Sequence, residues 1–292
     1  MNAPIGRIDA HQHFWRPSRG DYRWLRADVP ALVPIHRNVE PEELRPLLAR
    51  HGIVKTVLVQ AADSEAETEY MLSLARRHGF IAGVVGWVDL SDVSSVATLR
   101  RWAAERAFKG VRPMLQDLSE SDWIATRPHP AVMDALLALG LRFDALVQPW
   151  HLEHLLRFVD AWPELPVMID HAAKPQLARG WTDDWADAWR RGIAELARRP
   201  QVMCKVSGLL TEAGGEARAG GDAGLAALQP VWDTLLEHFG AHRLVWGSDW
   251  PVLNLAADYE RWVDLSERLF AGLSDAEQRA VWHDNAQRFY AL

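Results

Sequence analysis

The chain has 292 residues, of which 49% are hydrophobic and 24% charged, a composition that supports a large core and excludes intrinsic disorder. Its net charge of −7 and the lack of clustered Lys and Arg argue against nucleic acid as a partner. The single cysteine, Cys204, excludes an internal disulfide, residues Met1 to Arg7 carry no basic-then-apolar signal pattern, and no apolar run reaches the roughly 18 residues of a membrane span, so a cytoplasmic protein without a membrane partner is expected.

Eight short apolar runs recur along the sequence: Arg7–His13, Thr56–Gln60, Gly83–Val88, Gly110–Pro113, Arg142–Gln148, Pro166–His171, Val202–Ser207 and Leu244–Asp249. Several are nearly continuous, the pattern of strands buried on both faces of a parallel sheet. Between them lie stretches with apolar spacing near 3.6, such as Leu44, Leu47 and Leu48, or Leu152, Leu155, Leu156 and Val159. Strand–helix alternation of this kind in a chain of this length predicts an α/β fold, a (β/α)8 TIM-like barrel forming one domain over residues 1–292.

The connections are asymmetric. Those entering a strand are short and end in Gly52, Gly79, Gly140 or Gly240, each placed to cap the preceding helix. Those leaving a strand are long at 14–40, 113–129 and 209–226, at the end where barrels build active sites. The Gly- and Ala-rich stretch 213–226 reads equally as a mobile lid or a plain surface loop.

On a strand, residues two apart share a face, so His11 and His13 are predicted to point together into the barrel near its top. A pair of imidazoles suits a divalent metal, although the spacing alone is weak. His171 ends the sixth run. Asp249 ends the eighth, and Pro251 prevents that ladder from continuing. A buried Asp is costly unless paired, liganded or catalytic. Alone, each of these residues has a bland structural reading. Three polar strand ends in one barrel converge on one cavity, and that convergence points to an active site.

Most of the 15 tryptophans read as core filling. Trp15, Trp87 and Trp250 sit at strand ends and are candidates for a wall that stacks on sugar faces. His151 and His154 read as a solvated helix face, and His238 and His242 fall at the bottom of the barrel. Ser207 reads as lining the pocket. No phosphate-cradling glycine motif, nucleophile elbow or dinucleotide fingerprint is present.

His-x-His on the first strand, His on the sixth and Asp on the eighth resemble the amidohydrolase superfamily. The phrases Ile-Asp-Ala-His-Gln-His-Phe-Trp from residue 8, Ile-Asp-His-Ala-Ala-Lys-Pro from 169 and Gly-Ser-Asp-Trp-Pro from 247 resemble its amidohydrolase 2 type. The branch is that of sugar-lactone hydrolases acting on L-fuconolactone, L-rhamnonolactone and similar rings. The likeness runs from Arg7 to Tyr290.

The resemblance implies a lactonase that converts a small-molecule sugar lactone to its aldonic acid. Asp249 would act as general base on water, with His11, His13, Arg112 or a bound metal stabilising the oxyanion and His171 or Asp249 returning a proton to the ring oxygen. Lys174, Gln148 and Trp15 fall at strand ends or just beyond as substrate-binding residues. Arg112 and Gln148 stand where the superfamily often carries a bridging Lys or Glu and a His, so a binuclear site is not expected. One divalent ion such as zinc on His11, His13 and Asp249, or a metal-independent site, both stay open. Two rival readings are a decarboxylase or carboxylated-lactone hydrolase, in which Arg112 and Lys174 hold a carboxylate, and a non-catalytic sugar-binding barrel.

Overall fold

Strands β1 (Arg7–Gln12), β2 (Ile53–Val59), β3 (Ile81–Gly86), β4 (Phe108–Val111), β5 (Arg142–Ala145), β6 (Val167–Ile169), β7 (Val202–Val206) and β8 (Leu244–Trp246) pair in sequence order. Every pairing is parallel. The computed structural model describes residues 6–181 and 183–292, so most of the Met1–Arg7 segment lies outside the described residues. The ring closes beyond β8, where Gln12 bridges Trp250, His13 N donates to Trp250 O at 2.8 Å and Asp249 N donates to His11 O at 2.8 Å. This is the predicted (β/α)8 barrel, with each strand beginning or ending within a few residues of its apolar run.

Each strand is followed by a helix: Pro41–Arg50, Glu65–Arg77, Ser95–Ala103, Pro130–Ala138, Leu152–Ala161, Asp183–Ala197, Gly221–Phe239 and Tyr259–Leu269. Local chemistry sets their starts. The Ser64 side chain accepts from Glu67 N and the Asp258 side chain from Arg261 N, each satisfying a first-turn amide. Gly52, Gly140 and Gly240 adopt the positive φ expected of helix-ending glycines. Gly79 does not; the helix before it stops at Arg77, with His78 as an extended cap.

Two apolar layers result. One lies between strands and helices, with Leu58, Met71, Trp102, Phe143, Trp189 and Trp246 among its buried members. The other fills the lower barrel interior, where Ile8, Val57, Val85, Met168, Met203 and Val245 pack against Phe289 and Tyr290 from the end of the chain. The stretch 213–226, expected as a lid or surface loop, is largely helical. Helix Gly215–Arg218 and the start of Gly221–Phe239 run through it, because its Ala, Glu and Arg favour helix while Gly220 and Gly221 supply only the break between them. Among the described residues no helix is long and apolar enough to cross a membrane.

Candidate active site

The histidines owe their aim to a bulge. Between Asp9 and Gln12, β1 advances three residues while its partner β2 advances two, from Thr56 to Leu58. The extra residue re-aims the strand. Ile8 and Ala10 face the lower interior, Asp9 points out to the Tyr259 hydroxyl at 2.9 Å, and beyond the bulge His11 and His13 turn inward. Gly247 makes room for this: a Cβ there would lie 2.7 Å from His11 Cβ.

His171 is placed by a turn of the opposite hand. His171, Ala172, Ala173 and Lys174 all have positive φ, between 50° and 56°, a left-handed run that costs about 1–2 kcal/mol per non-glycine residue. The surroundings hold it. Trp189 Nε1 donates to Ala172 O at 2.8 Å, and His171 Nδ1 lies 2.9 Å from Ser207 Oγ. Gly208 must be glycine, since its φ is +62° and a Cβ would sit 2.5 Å from His171 Nδ1. Asp249 also adopts a positive φ of 60°. Backbone strain gathered in this way at a polar cluster is characteristic of a functional site.

The four predicted residues meet. His13 Nε2, His11 Nε2 and His171 Nε2 lie 3.3, 3.7 and 3.8 Å from Asp249 Oδ1. Beneath them is an ionic layer of which the sequence reading had only Arg112. Lys205 Nζ contacts Asp144 Oδ2 at 2.6 Å and Asp170 Oδ1 at 2.9 Å, Arg112 Nη1 contacts Asp170 Oδ2 at 3.2 Å, and Arg112 Nη2 donates to Gln60 O. Lys205 and Arg112 offset Asp144 and Asp170, which leaves Asp249 as the uncompensated charge at the centre. Burial would raise the Asp249 carboxyl, but His171, the close contact with His13, and His11 outweigh it and hold it well below its ordinary value. Burial pushes His171 down to about 4, against Asp249 and Asp170. Burial, followed by Lys205, holds His11 well below 6.5. An ionised carboxylate beside neutral His11 and His171 is the arrangement at neutral pH.

Above this cluster opens a cavity of about 230 Å3, lined by His13, Arg112, His171, Lys174 and Asp249 on its polar side and by Trp24, Leu32, Leu146, Val252 and Leu255 on its apolar side. Two expected substrate contacts are not among its lining residues. Trp15 is fully buried behind the wall, with Nε1 donating to Ile35 O at 3.1 Å. Trp24, packed edge-on against it, is the aromatic residue that reaches the cavity. Gln148 caps a turn, its backbone N donating to His151 Nδ1 at 3.1 Å, so His151 is a buried turn residue and not part of a solvated face. Trp87 and Trp250 do not line the cavity either, and Ser207 serves it from behind by bonding His171.

The donor set suits a divalent ion. His11, His171 and Asp249 each offer one ligand atom, all within 4.8 Å of one another. The separations of 3.7 and 3.8 Å are long for hydrogen bonds but close to the edge of about 3.3 Å implied by Zn–N bonds of about 2.0–2.1 Å in a tetrahedron. This grouping has His171 where the sequence reading had His13; His13 Nδ1 donates to Val59 O at 2.7 Å, which leaves its Nε2 lone pair turned toward Asp249 as a further donor to such an ion.

Glu67 braces the cavity wall from behind. Its carboxylate accepts from Ala61 N at 3.0 Å and Ala62 N at 2.9 Å, and burial pushes it from 4.5 up to about 8. A carboxyl with a raised folded-state value keeps its proton where the unfolded chain has lost it, so its contribution to stability falls as pH rises from about 4.5 to 8. Glu67→Gln is therefore expected to flatten the decline in stability across that window, read by urea unfolding at a series of pH values.

Fold and cluster together define a barrel hydrolase with its chemistry at the carboxyl ends of the strands. The family profile described as Amidohydrolase matches residues 8–292, and the chain belongs to that family. It is similar to L-fucono-1,5-lactonase of Burkholderia ambifaria, 43% identical over 98% of this chain and 96% of that one. It is also similar to L-fucono-1,5-lactonase of Burkholderia multivorans, 38% identical over the same shares. A crystal structure of a Burkholderia multivorans amidohydrolase with bound zinc superposes with a TM-score of 0.88 at 36% identity, covering 99% of this chain and all of that one.

Proposed function

We propose that this protein hydrolyses a neutral sugar lactone, of the L-fuconolactone kind, to the corresponding aldonic acid. The observation that carries the reading is the convergence of three imidazoles on the single uncompensated carboxylate, Asp249, beneath a small half-apolar cavity. At about 230 Å3 the cavity falls below the usual range of about 300–1,000 Å3 for drug-sized ligands, so it suits one small ring.

In this reading Asp249 takes a proton from the attacking water. Arg112, Lys174 and the imidazoles face the oxygen that becomes negative, the charge whose stabilisation is usually the largest catalytic contribution. The proton that Asp249 has taken up then passes to the departing ring oxygen, directly or relayed through neutral His171, and that oxygen needs only one to leave as an alcohol. A divalent ion on His11, His171 and Asp249 adds Lewis acidity at the carbonyl when bound. The Arg112 guanidinium is already engaged by Asp170 and Gln60 O, and Lys174 lies 3.8 Å from Glu212 Oε1. Asp170 and Glu212 already offset these two cations, so a substrate carboxylate would bring an extra negative charge beside Asp249 with no cation left to balance it. The oxyanion, by contrast, forms only as Asp249 is protonated. This favours neutral lactones over the carboxylated-lactone and decarboxylase readings.

Acid release from a panel of neutral and carboxylated lactones, with and without a chelator, tests the assignment; no turnover of any neutral lactone in zinc-supplemented buffer would overturn it. On the apolar wall, Trp24→Ala is expected to raise KM about tenfold or more with a smaller change in kcat, since it removes binding made equally in ground and transition states.

A further inference from the structure

Lys205 is completely buried; its ammonium is within hydrogen-bond distance of Asp144 Oδ2 at 2.6 Å and His11 Nδ1 at 3.1 Å, and it pairs ionically with Asp170 Oδ1 at 2.9 Å. An ammonium only donates. Where it bonds His11, Nδ1 is the acceptor, and a neutral ring then carries its proton on Nε2. The alternative has His11 Nδ1–H donating to Asp170 Oδ1, 3.4 Å away, which frees the Nε2 lone pair. That contact is longer than the 3.1 Å from Lys205 Nζ to Nδ1. Arg112 Nη1 approaches Nε2 from the other side at 3.3 Å, but a neutral imidazole has one lone pair for the two donors, and Lys205 is the nearer.

We propose that Lys205 is a positioning residue that fixes His11 in its Nε2–H tautomer, so that His11 meets the reaction centre as a hydrogen-bond donor, and that Lys205 thereby weakens the grip of the site on a divalent cation. The same nitrogen cannot both donate a proton and ligate a metal. Zinc binding at His11 requires the ring proton to move to Nδ1, where Asp170 accepts it, and requires Lys205 to give up a partner. The β7 lysine thus biases one histidine between two roles, oxyanion donor and metal ligand. Nothing in the inference depends on which substrate is bound.

The test has two arms, neither involving a lactone, so its failure leaves the reaction assignment untouched. Long-range proton–nitrogen correlation spectra of the histidine-labelled, metal-free protein, with the His11 signals assigned by their loss in His11→Asn, are expected to show a bare Nδ1 and a protonated Nε2. A protonated Nδ1 in that state overturns the proposal. Zinc affinity is then measured by chelator competition on the wild type and on Lys205→Met. The variant is expected to bind zinc at least tenfold more tightly, with His11 switched to the Nδ1–H tautomer in its metal-free spectrum. Unchanged or weaker zinc binding, or tighter binding without the tautomer switch, refutes the role of Lys205. The wild-type spectra decide the tautomer even if the variant does not fold.

Discussion

Asp249→Asn is expected to lower lactone turnover by about a thousandfold or more while leaving KM within a few-fold, a loss of roughly 4 kcal/mol of transition-state stabilisation. The amide matches the carboxylate in shape, so the backbone bond from Asp249 N to His11 O and the strained conformation at this position are retained. What disappears is the one charge that Lys205 and Arg112 do not offset, and with it the ability to accept a proton from water. Acid release at saturating lactone measures the effect, and thermal unfolding checks that the fold persists. A variant that keeps a tenth of wild-type turnover would remove Asp249 from the role of base and transfer it to a histidine. Loss of turnover with a large rise in KM would instead give Asp249 a part in holding the substrate.

The barrel was legible because its logic is local. Strands buried on both faces read as apolar runs, and the residues that interrupt those runs at their ends, His11, His13, His171 and Asp249, meet because a closed barrel brings all strand ends to one rim. Apart from Arg112, the ionic layer was not read, although its signal is present: Lys205 and Asp144 are lone charges inside β7 and β5, where a water-facing position does not exist. A charge in such a place needs a partner across the barrel, and here the two are each other's partner. The bulge in β1 and the left-handed turn after β6 leave weaker traces. Ordinary alternation would have put Asp9 on the same side as His11, and nothing in Ala172 or Ala173 announces a positive φ. The exchange of Trp15 for Trp24 has a similar origin. Trp15 lies nearer the strand in sequence and is therefore swallowed by the core, while the loop carries Trp24 back over the opening.

Asp9 offers the second large effect, and it falls on stability as well as catalysis. Its Oδ1 accepts from Ser248 N at 2.8 Å and His11 N at 3.2 Å, and its Oδ2 from the Tyr259 hydroxyl at 2.9 Å. The side chain thus joins β1, the segment after β8 and the last barrel helix at the seam where the ring closes. Asp9→Ala leaves three buried donors without an acceptor and is expected to cost about 3–5 kcal/mol, the scale for removing one member of a buried charged network. Tyr259→Phe removes only one donor and is expected to cost about 1 kcal/mol. If the two groups act through their mutual bond, the double variant loses less than the sum of the single losses. Because Ser248 precedes Asp249, slackening the seam also displaces the base, so Asp9→Ala should lower kcat more than it changes KM, whereas Tyr259→Phe should leave kcat nearly intact. Urea unfolding supplies the energies and acid release the rates. A cost below 1 kcal/mol for Asp9→Ala would mean that the backbone bonds from Asp249 N to His11 O and from His13 N to Trp250 O close the barrel without help from the carboxylate.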